Sequence, residues 1–370
     1  METFLRDLMS AQTAQGLDVA AIVHASDAGV RSVSESPMEQ GQLLRVVRVA
    51  RWFTAAFAPV SPSFPLQLNR LIRIRQPDIL HIHMPNASAF WCLLLPRARR
   101  TLWVVHWHAD VLASSHSAVL RWLYWLYRPL EQRVLRRAAR IINTSPPYAE
   151  SSEPLSTHRD RCSVAPLGIA DSSSTEAVTQ DEQDDSILRT LFVGRLTYYK
   201  GLSYLIRAVA GLDSVELRIV GSGEERKALI GLVKALRVEE RVRFLGSLTD
   251  EEVELELSAC DCLCLPSIER TEAFGLVLLE AMRTGRATLA TRVAGSGMSW
   301  VVRDGETGLL VDPEDDHAIK LALKKLRDDP ETRLRMGAAG RIRFLELFTI
   351  QKIVAQLVGI YLSCLPEKYQ

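Results

Sequence analysis

Two glutamates separated by seven residues, Glu272 and Glu280, stand out in Pro266–Met282, PSIERTEAFGLVLLEAM. The turn-like EAFG precedes an apolar helical run from Leu276. Glu272 therefore falls just before a helix start, where the backbone N–H groups of Phe274, Gly275 and Leu276 lack intrahelical partners. Such an end suits a phosphate or an oxygen-rich ligand. Glu280, two turns along, interrupts an apolar helix, and an acid there is costly unless it is partnered; sugar or ribose hydroxyls would serve. Without a ligand the same pair reads as a helix-terminal charge and a solvated face.

A second signal is Val193–Gly201, VGRLTYYKG, where a strand ends at Gly194 and a loop leads into a helix. Ligands of open α/β sheets bind beyond the carboxyl ends of strands, so Arg195 and Lys200 would place two positive charges beside a diphosphate. The alternative is a surface loop with two solvated cations. G-x-x-x-x-G-K-[ST] is absent, which excludes a P-loop. Gly221-Ser222-Gly223 is similar to the start of G-x-G-x-x-G, but Arg226 stands at the last glycine, so a nicotinamide site is poorly supported. In the first half, His106-Trp107-His108-Ala109-Asp110 follows a strand. A His108–Asp110 pair could act as a base, a metal site or a hydrogen-bonding clamp. His81 and His83 end a neighbouring strand, yet too few further ligands are in view for a metal, and both read equally as core histidines.

These residues sit on an alternation of short apolar strands and helical patterns. Strands are expected at Val19–His24, Ile79–His83, Leu102–His106, Arg140–Thr144 and Ser163–Pro166. A second set is expected at Thr190–Val193, Glu216–Val220, Val242–Leu245, Cys262–Pro266, Ala287–Ala290 and Gly308–Val311. Helical patterns lie between them, so the fold class is α/β with parallel sheets covered on both faces. The polar, acidic stretch Ala170–Ser186 has little to bury and reads as a linker. The expected organisation is a Rossmann-like domain at 1–169, the linker at 170–186 and a second Rossmann-like domain at 187–348. A C-terminal helix at 349–370 should return to the first domain.

The 370 residues suit two domains, and 47% hydrophobic with 24% charged content excludes disorder and a disulfide scaffold. A net charge of +1 argues against a nucleic-acid partner. The halves differ: residues 1–170 hold 19 basic and 12 acidic side chains, all the basic ones Arg, and the first lysine is Lys200. A basic first half suggests a lobe that faces something anionic. Trp122, Tyr124, Trp125 and Tyr127 lie among arginines in Val119–Ile142, a helical stretch suited to an anionic membrane interface or to ordinary burial of its aromatics. Six cysteines without metal spacing read as buried, reduced thiols of a cytoplasmic protein. Cys260, Cys262 and Cys264 alternate as if on one strand face. No run reaches transmembrane length, and no signal peptide pattern is seen.

GRLTYYKG, IVGSGEE, VRFLGSL, LPSIERTEAFGLVLLEAM and DGETGLLVDPED together resemble the C-terminal domain of glycosyltransferase family 4, over about residues 188–345. DILHIHMPN, VVHWHAD and VAPLGI resemble its N-terminal domain more loosely. The pairing of HWHAD with ERTEAFG is most similar to bacterial mannosyl- and rhamnosyltransferases of surface-polysaccharide assembly. The resemblance implies a GT-B fold, two Rossmann-like domains facing across a cleft, and a retaining enzyme that uses a nucleotide-sugar, with GDP-mannose the expected donor. It implies that Arg195 and Lys200, with Gly194, bind the donor diphosphate and that Glu272 contacts the transferred sugar beside the amides of Phe274, Gly275 and Leu276. Glu280 would hold the ribose, Gly221–Gly223 and Phe244–Gly246 would border the base, and His108 would sit by the sugar and acceptor. Gly297-Met298-Ser299-Trp300 departs from the family's Gly-then-Pro-Glu pattern.

Fixed positive groups that meet the leaving diphosphate can replace a metal, so no metal or other cofactor is expected. The expected partners are a nucleotide-sugar, a lipid-linked saccharide acceptor and an anionic membrane surface at the inner face of the cytoplasmic membrane. The competing expectations are a UDP-sugar donor, or a non-catalytic GT-B-like binding or scaffold protein. The family's first strand and glycine loop lie ahead of a helix like Glu2–Ala14, so an upstream strand and glycine-rich turn are expected as well.

Overall fold

The computed structural model describes residues 2–28, 32–37, 43–55, 58–111, 118–171 and 186–366. They form two compact units: 1–144 with 149–166 and 350–370, and 145–148 with 167–349. Most of the acidic stretch read as a linker, residues 172–185, lies outside the described residues.

Within the first unit, nine strands are described. These are β1 (Ala20–Ala28), β2 (Ser32–Pro37), β3 (Leu43–Arg51), β4 (Phe53–Ala55), β5 (Ala58–Val60), β6 (Ile79–Met84), β7 (Leu102–Trp107), β8 (Arg140–Asn143) and β9 (Cys162–Val164). Instead of one doubly wound sheet, the described residues give a three-stranded piece, β1-β3-β2, and a parallel four-stranded piece, β6-β7-β8-β9, with a β4-β5 hairpin. β1 and β3 are parallel, and β2 turns back antiparallel on β3. The β2 sequence SVSESP carries almost no apolar pattern, so pairing with β3, and not its own hydrophobicity, makes it a strand. In the four-stranded piece the buried run Trp103–Trp107 forms the centre. Helix Ile350–Cys364 belongs to this unit, where Gln12 of helix Glu2–Ala14 donates to the Tyr361 hydroxyl at 3.1 Å.

The second unit holds β10 (Leu188–Val193), β11 (Val215–Val220), β12 (Val242–Gly246), β13 (Cys262–Leu265), β14 (Ala287–Thr291) and β15 (Gly308–Val311). All pair in parallel in the order β12-β11-β10-β13-β14-β15. This is the doubly wound order, with a switch point between β10 and β13. Both strands are almost wholly buried, as parallel strands covered on two faces must be. Cys262 and Cys264 lie on β13, whereas Cys260 caps the preceding helix; all three are buried, and burial pushes the Cys262 thiol up to about 12. The amino ends of the two central strands are held together by Asp261. Its carboxylate accepts a two-pronged bond from the Arg189 guanidinium at 2.9 Å and another from the Arg189 backbone N–H at 2.8 Å. The far ends, beyond Val193 and Leu265, separate into the loops that carry the sequence signals.

Candidate active site

The loop after β10 reaches the loop after β13 because Gly201 permits it. Its φ is +64°, and a Cβ there would stand 2.1 Å from the Pro266 carbonyl oxygen, so no other residue fits that approach. The Ile268 N–H donates to the Tyr199 carbonyl at 2.8 Å, fixing the two loops side by side. Across this seam the Lys200 ammonium donates to the Glu272 carboxylate, and both side chains are mostly buried. Lys200 also lies 5.8 Å from the Tyr199 ring centre. Two further hydroxyls hold Glu272: that of Ser267 donates to its carboxylate at 3.4 Å and that of Ser296 to its carbonyl, while Thr291 donates to the Ser267 carbonyl and so fixes Ser267. Thus the cation and the acid from the two sequence signals meet, each partnering the other.

Arg195 is placed differently. Its side chain is 70% exposed and lies 3.7 Å from Glu224, so it offers a solvated charge at the loop's rim. The loops after β10 and β11 are stitched by backbone bonds: Gly194 N–H to the Val220 carbonyl, Leu196 N–H to Ser222, and Glu225 N–H to Leu196. Gly221 N–H reaches the Gly246 carbonyl at 2.7 Å, which adds the loop after β12 to the same platform. Gly194 and Gly223 are thereby parts of one rigid floor.

Gly275 is the N-cap of helix Leu276–Arg283, with φ +81°. Among the described residues no protein acceptor takes the N–H groups of Phe274, Gly275 or Leu276, so this helix end presents open amides, as the sequence implies. Phe274 is buried, and its position is fixed by residues that sequence spacing did not reveal. Trp300 lies 6.4 Å from its ring and packs edge-on against Phe348 at 5.5 Å, while the Arg343 guanidinium stacks over both Trp300 and Phe348. Arg343 also donates to the Trp300 carbonyl at 2.7 Å and the Val301 carbonyl at 3.1 Å. This gives Trp300 a physical role: it is a wall that supports the EAFG turn.

Glu280 sits on the same helix, and its carboxylate accepts no hydrogen bond among the described residues. Burial pushes its pKa up to about 7, with Arg283 opposing that rise and Asp250 adding to it. It is a poised acceptor for hydroxyl donors.

His108 lies in the first unit, just past β7. Asp110 does not orient it: the Asp110 carboxylate accepts from Trp107 Nε1 at 2.8 Å and from the Ser152 hydroxyl at 2.7 Å. The His108 Nε2 instead shares a hydrogen bond with His83 Nδ1 at 2.8 Å. Burial first, and then the charges of neighbouring His83 and His81, hold His108 well below the ordinary histidine range, so it is neutral at pH 7. The His108–Asp110 pair expected from the sequence is thus replaced by a His108–His83 pair.

A doubly wound sheet with a cation, a carboxylate and open helix amides at its switch point is a frame for binding a nucleotide-linked substrate, and a second α/β unit accompanies it here. Comparison with known proteins agrees. Residues 176–343 match the model for glycosyl transferases group 1, and residues 1–168 match that for a glycosyl transferase 4-like domain. The chain is 32% identical to the O-antigen chain mannosyltransferase C of Escherichia coli over 318 residues, spanning 83% of this chain and 82% of that protein. It is 33% identical to the D-rhamnosyltransferase WbpZ of Pseudomonas aeruginosa over 250 residues, 66% of this chain and 63% of that one. Among solved structures, sucrose-phosphate synthase from Thermosynechococcus elongatus superposes with a TM-score of 0.81 at 24% identity, covering 97% of this chain and 92% of that one. Anabaena HepE in complex with UDP and glucose gives 0.73 at 20% identity, covering 98% and 96%. The chain belongs to the glycosyltransferase 4-like, group 1 family: it is a glycosyltransferase of the GT-B fold.

Lys200→Ala and Arg195→Ala should separate in their effects. Removing Lys200 strips a mostly buried carboxylate of its cation and, if the diphosphate binds there, removes a contact to it. Nucleotide affinity should fall about ten- to a hundredfold, equivalent to about 1.5–3 kcal/mol, with a lowered Tm. Arg195→Ala should weaken binding while leaving Tm unchanged, because the side chain is solvated. Calorimetric titration with GDP and a thermal melt check both, and unchanged affinity in both variants would remove them from the site.

Glu280 gives a pH signature. Its folded pKa lies above the unfolded value of 4.5, so the folded state holds the extra proton between about pH 4.5 and 7, and this group's contribution to stability falls as pH rises through that window. If ribose hydroxyls donate to its ionised form, affinity for a nucleoside-diphosphate sugar, whose diester phosphates do not titrate there, should rise as pH passes about 7. Glu280→Gln should bind more weakly and flatten the profile; an unaltered profile would show that the group lies outside the ribose contact.

Proposed function

We propose that the protein transfers a mannosyl unit from GDP-mannose, with retention of configuration, to a lipid-linked saccharide acceptor in polysaccharide assembly. The observation that carries this reading is the convergence, at one switch point, of Lys200, Glu272, Glu280 and the open amides of Phe274, Gly275 and Leu276. On this reading the diphosphate takes Lys200, with Arg195 at the rim, and the growing negative charge of the leaving group meets that cation and the helix amides. Preorganised positive groups of this kind supply charge stabilisation without reorganisation, so the reaction needs no divalent ion at the phosphates. Glu272, freed from Lys200, accepts hydroxyls of the transferred sugar, and Glu280 accepts those of the ribose. His108, neutral and held by His83, serves the sugar and acceptor as a hydrogen-bonding group. The acceptor hydroxyl attacks on the face from which the nucleotide leaves, so catalysis rests on positioning and electrostatics. The mannosyl- and rhamnosyltransferase names of the relatives favour a GDP-linked deoxy- or mannosugar over UDP-glucose. Incubation with GDP-mannose, UDP-glucose and ADP-glucose, with and without Mg²⁺ and Mn²⁺, tests the reading. GDP-mannose alone should be turned over onto a polyprenyl-diphosphate saccharide, at a rate the cations do not raise, giving an α-linked product by NMR.

The acceptor's lipid calls for a membrane-facing surface. Helix Ala118–Arg137 supplies one: Tyr124 is buried, whereas Trp122 and Trp125 are 62% and 70% exposed, on a face shared with Leu126 and flanked by Arg121, Arg128 and Arg133. Adjoining it, Leu94, Arg99, Arg133 and Arg137 line a groove of about 430 Å³. Indole rings and arginines together fit the headgroup level of an anionic bilayer, and no described helix is long and apolar enough to cross one. In flotation assays the protein should rise with anionic vesicles at low salt and release at high salt. Trp122→Ala with Trp125→Ala should abolish the residual binding to the same vesicles; equal partition onto neutral vesicles would refute the electrostatic part.

A further inference from the structure

The first unit holds four histidines on one patch of sheet. His81 and His83 are two apart on β6, and His106 and His108 are two apart at the end of β7, so the period-two alternation of a strand sends each pair to one face. Register sets His83 opposite His106. The rings of His83 and His106 stack at 5.3 Å, those of His106 and His108 at 4.3 Å, and His81 and His83 lie 4.4 Å apart.

Their hydrogen bonding is incomplete. His106 is fully buried, and neither of its ring nitrogens has a partner. His81 Nδ1 bonds the Tyr361 hydroxyl at 2.7 Å, and its Nε2 is buried without a partner. His83 Nδ1 bonds His108, which leaves its Nε2 as the atom free to ligate. An unpaired buried polar nitrogen is costly, so several in one place need an explanation. Sequence spacing alone suggested too few ligands for a metal; the register of β6 and β7 supplies them.

We propose that His81, His83 and His106 form a zinc site of three imidazoles in the first unit, separate from the donor chemistry at the β10–β13 switch point. One nitrogen from each lies within 4.8 Å of the others. A tetrahedral zinc with bonds of about 2.0–2.1 Å spaces its ligands roughly 3.3 Å apart, so modest ring rotations close the site. The surroundings fit a metal's outer shell, in which each ligating imidazole is oriented through its other nitrogen. Tyr361 does this for His81, with Gln12 behind it at 3.1 Å, and His108 does it for His83. Phe4 closes one side, edge-on to His106 at 6.1 Å. Bound there, zinc would tie β6 and β7 to the helices that carry Gln12 and Tyr361, stabilising this unit.

The test uses the full chain carrying no polyhistidine tag, stripped with a chelator, then titrated with Zn²⁺ and desalted. One zinc per chain should remain by elemental analysis, Tm should rise with Zn²⁺, and Co²⁺ substitution should give the intense visible absorption of a tetrahedral site. His106→Leu, which fills the same space, should lose retained zinc and the Tm response while keeping GDP affinity, which reads the second unit. Tyr361→Phe, which removes only the outer-shell hydroxyl, should weaken zinc about ten- to a hundredfold and serves if His106→Leu does not fold. Failure of the unaltered chain to retain zinc, or equal retention by both variants, overturns the proposal.

Discussion

In the second unit the order β12-β11-β10-β13-β14-β15 requires the chain to leave β10 toward one edge of the sheet and β13 toward the other. Right-handed crossovers then send the two following helices to opposite faces, and the loops that begin them part company at their strand ends. The opening left between them is where a ligand can enter, and Lys200, Glu272 and the open amides of Phe274, Gly275 and Leu276 are arranged around it. At the opposite end the same two strands are clamped by Asp261 and Arg189, so the sheet is closed below and open above. The glycines complete the geometry. Gly201 lets one loop touch the other, and Gly275 turns the backbone so that three amides point out of the helix.

Much of this was legible in the sequence. All eleven strands expected from short apolar runs are present, most with ends within two residues, because buried parallel strands are continuous in hydrophobicity and punctuated by glycine and polar loops. The pairing of a cation after one strand with a carboxylate after another was legible as two separate signals. Their direct contact was not, since it depends on which strands become neighbours. β2 was not legible, because SVSESP has no apolar face of its own, and neither was the division of the first unit's described strands into separate sheet pieces. Asp110 misled for a related reason. It follows His108 closely in sequence, yet Trp107 and Ser152 claim its carboxylate, and the ring that meets His108 comes from another strand. Spacing along the chain identifies candidates; register across strands decides partners.

Trp300 illustrates a different kind of illegibility. It stands where the resembled family carries another pattern, and nothing local accounts for a large aromatic there. Its neighbours come from two other places in the chain, Phe274 from the turn before helix Leu276–Arg283 and Arg343 and Phe348 from helix Pro330–Leu347 and its C-cap, and the cluster has meaning only once they are assembled. The result is a turn whose exposed surface is polar backbone and whose reverse side is a stack of rings, a construction that keeps the amides fixed without using them as hydrogen-bond donors to the protein. Rigidity of this kind is what electrostatic catalysis demands, because donors that must reorganise lose much of their effect.

The Lys200–Glu272 pair has a consequence for the end of a catalytic cycle. On the proposed reading an incoming diphosphate must displace Glu272, a tethered rival for the ammonium, and so binds less tightly than it would to a bare cation. The same tether operates in reverse. Once the sugar has left and the nucleoside diphosphate remains, Glu272 is the nearest competitor for Lys200, always present at the high local concentration that covalent connection confers. If Lys200 holds the diphosphate as proposed, re-formation of the pair helps to expel the spent nucleotide, so the arrangement that tempers affinity at the start of a turnover hastens product release at its close.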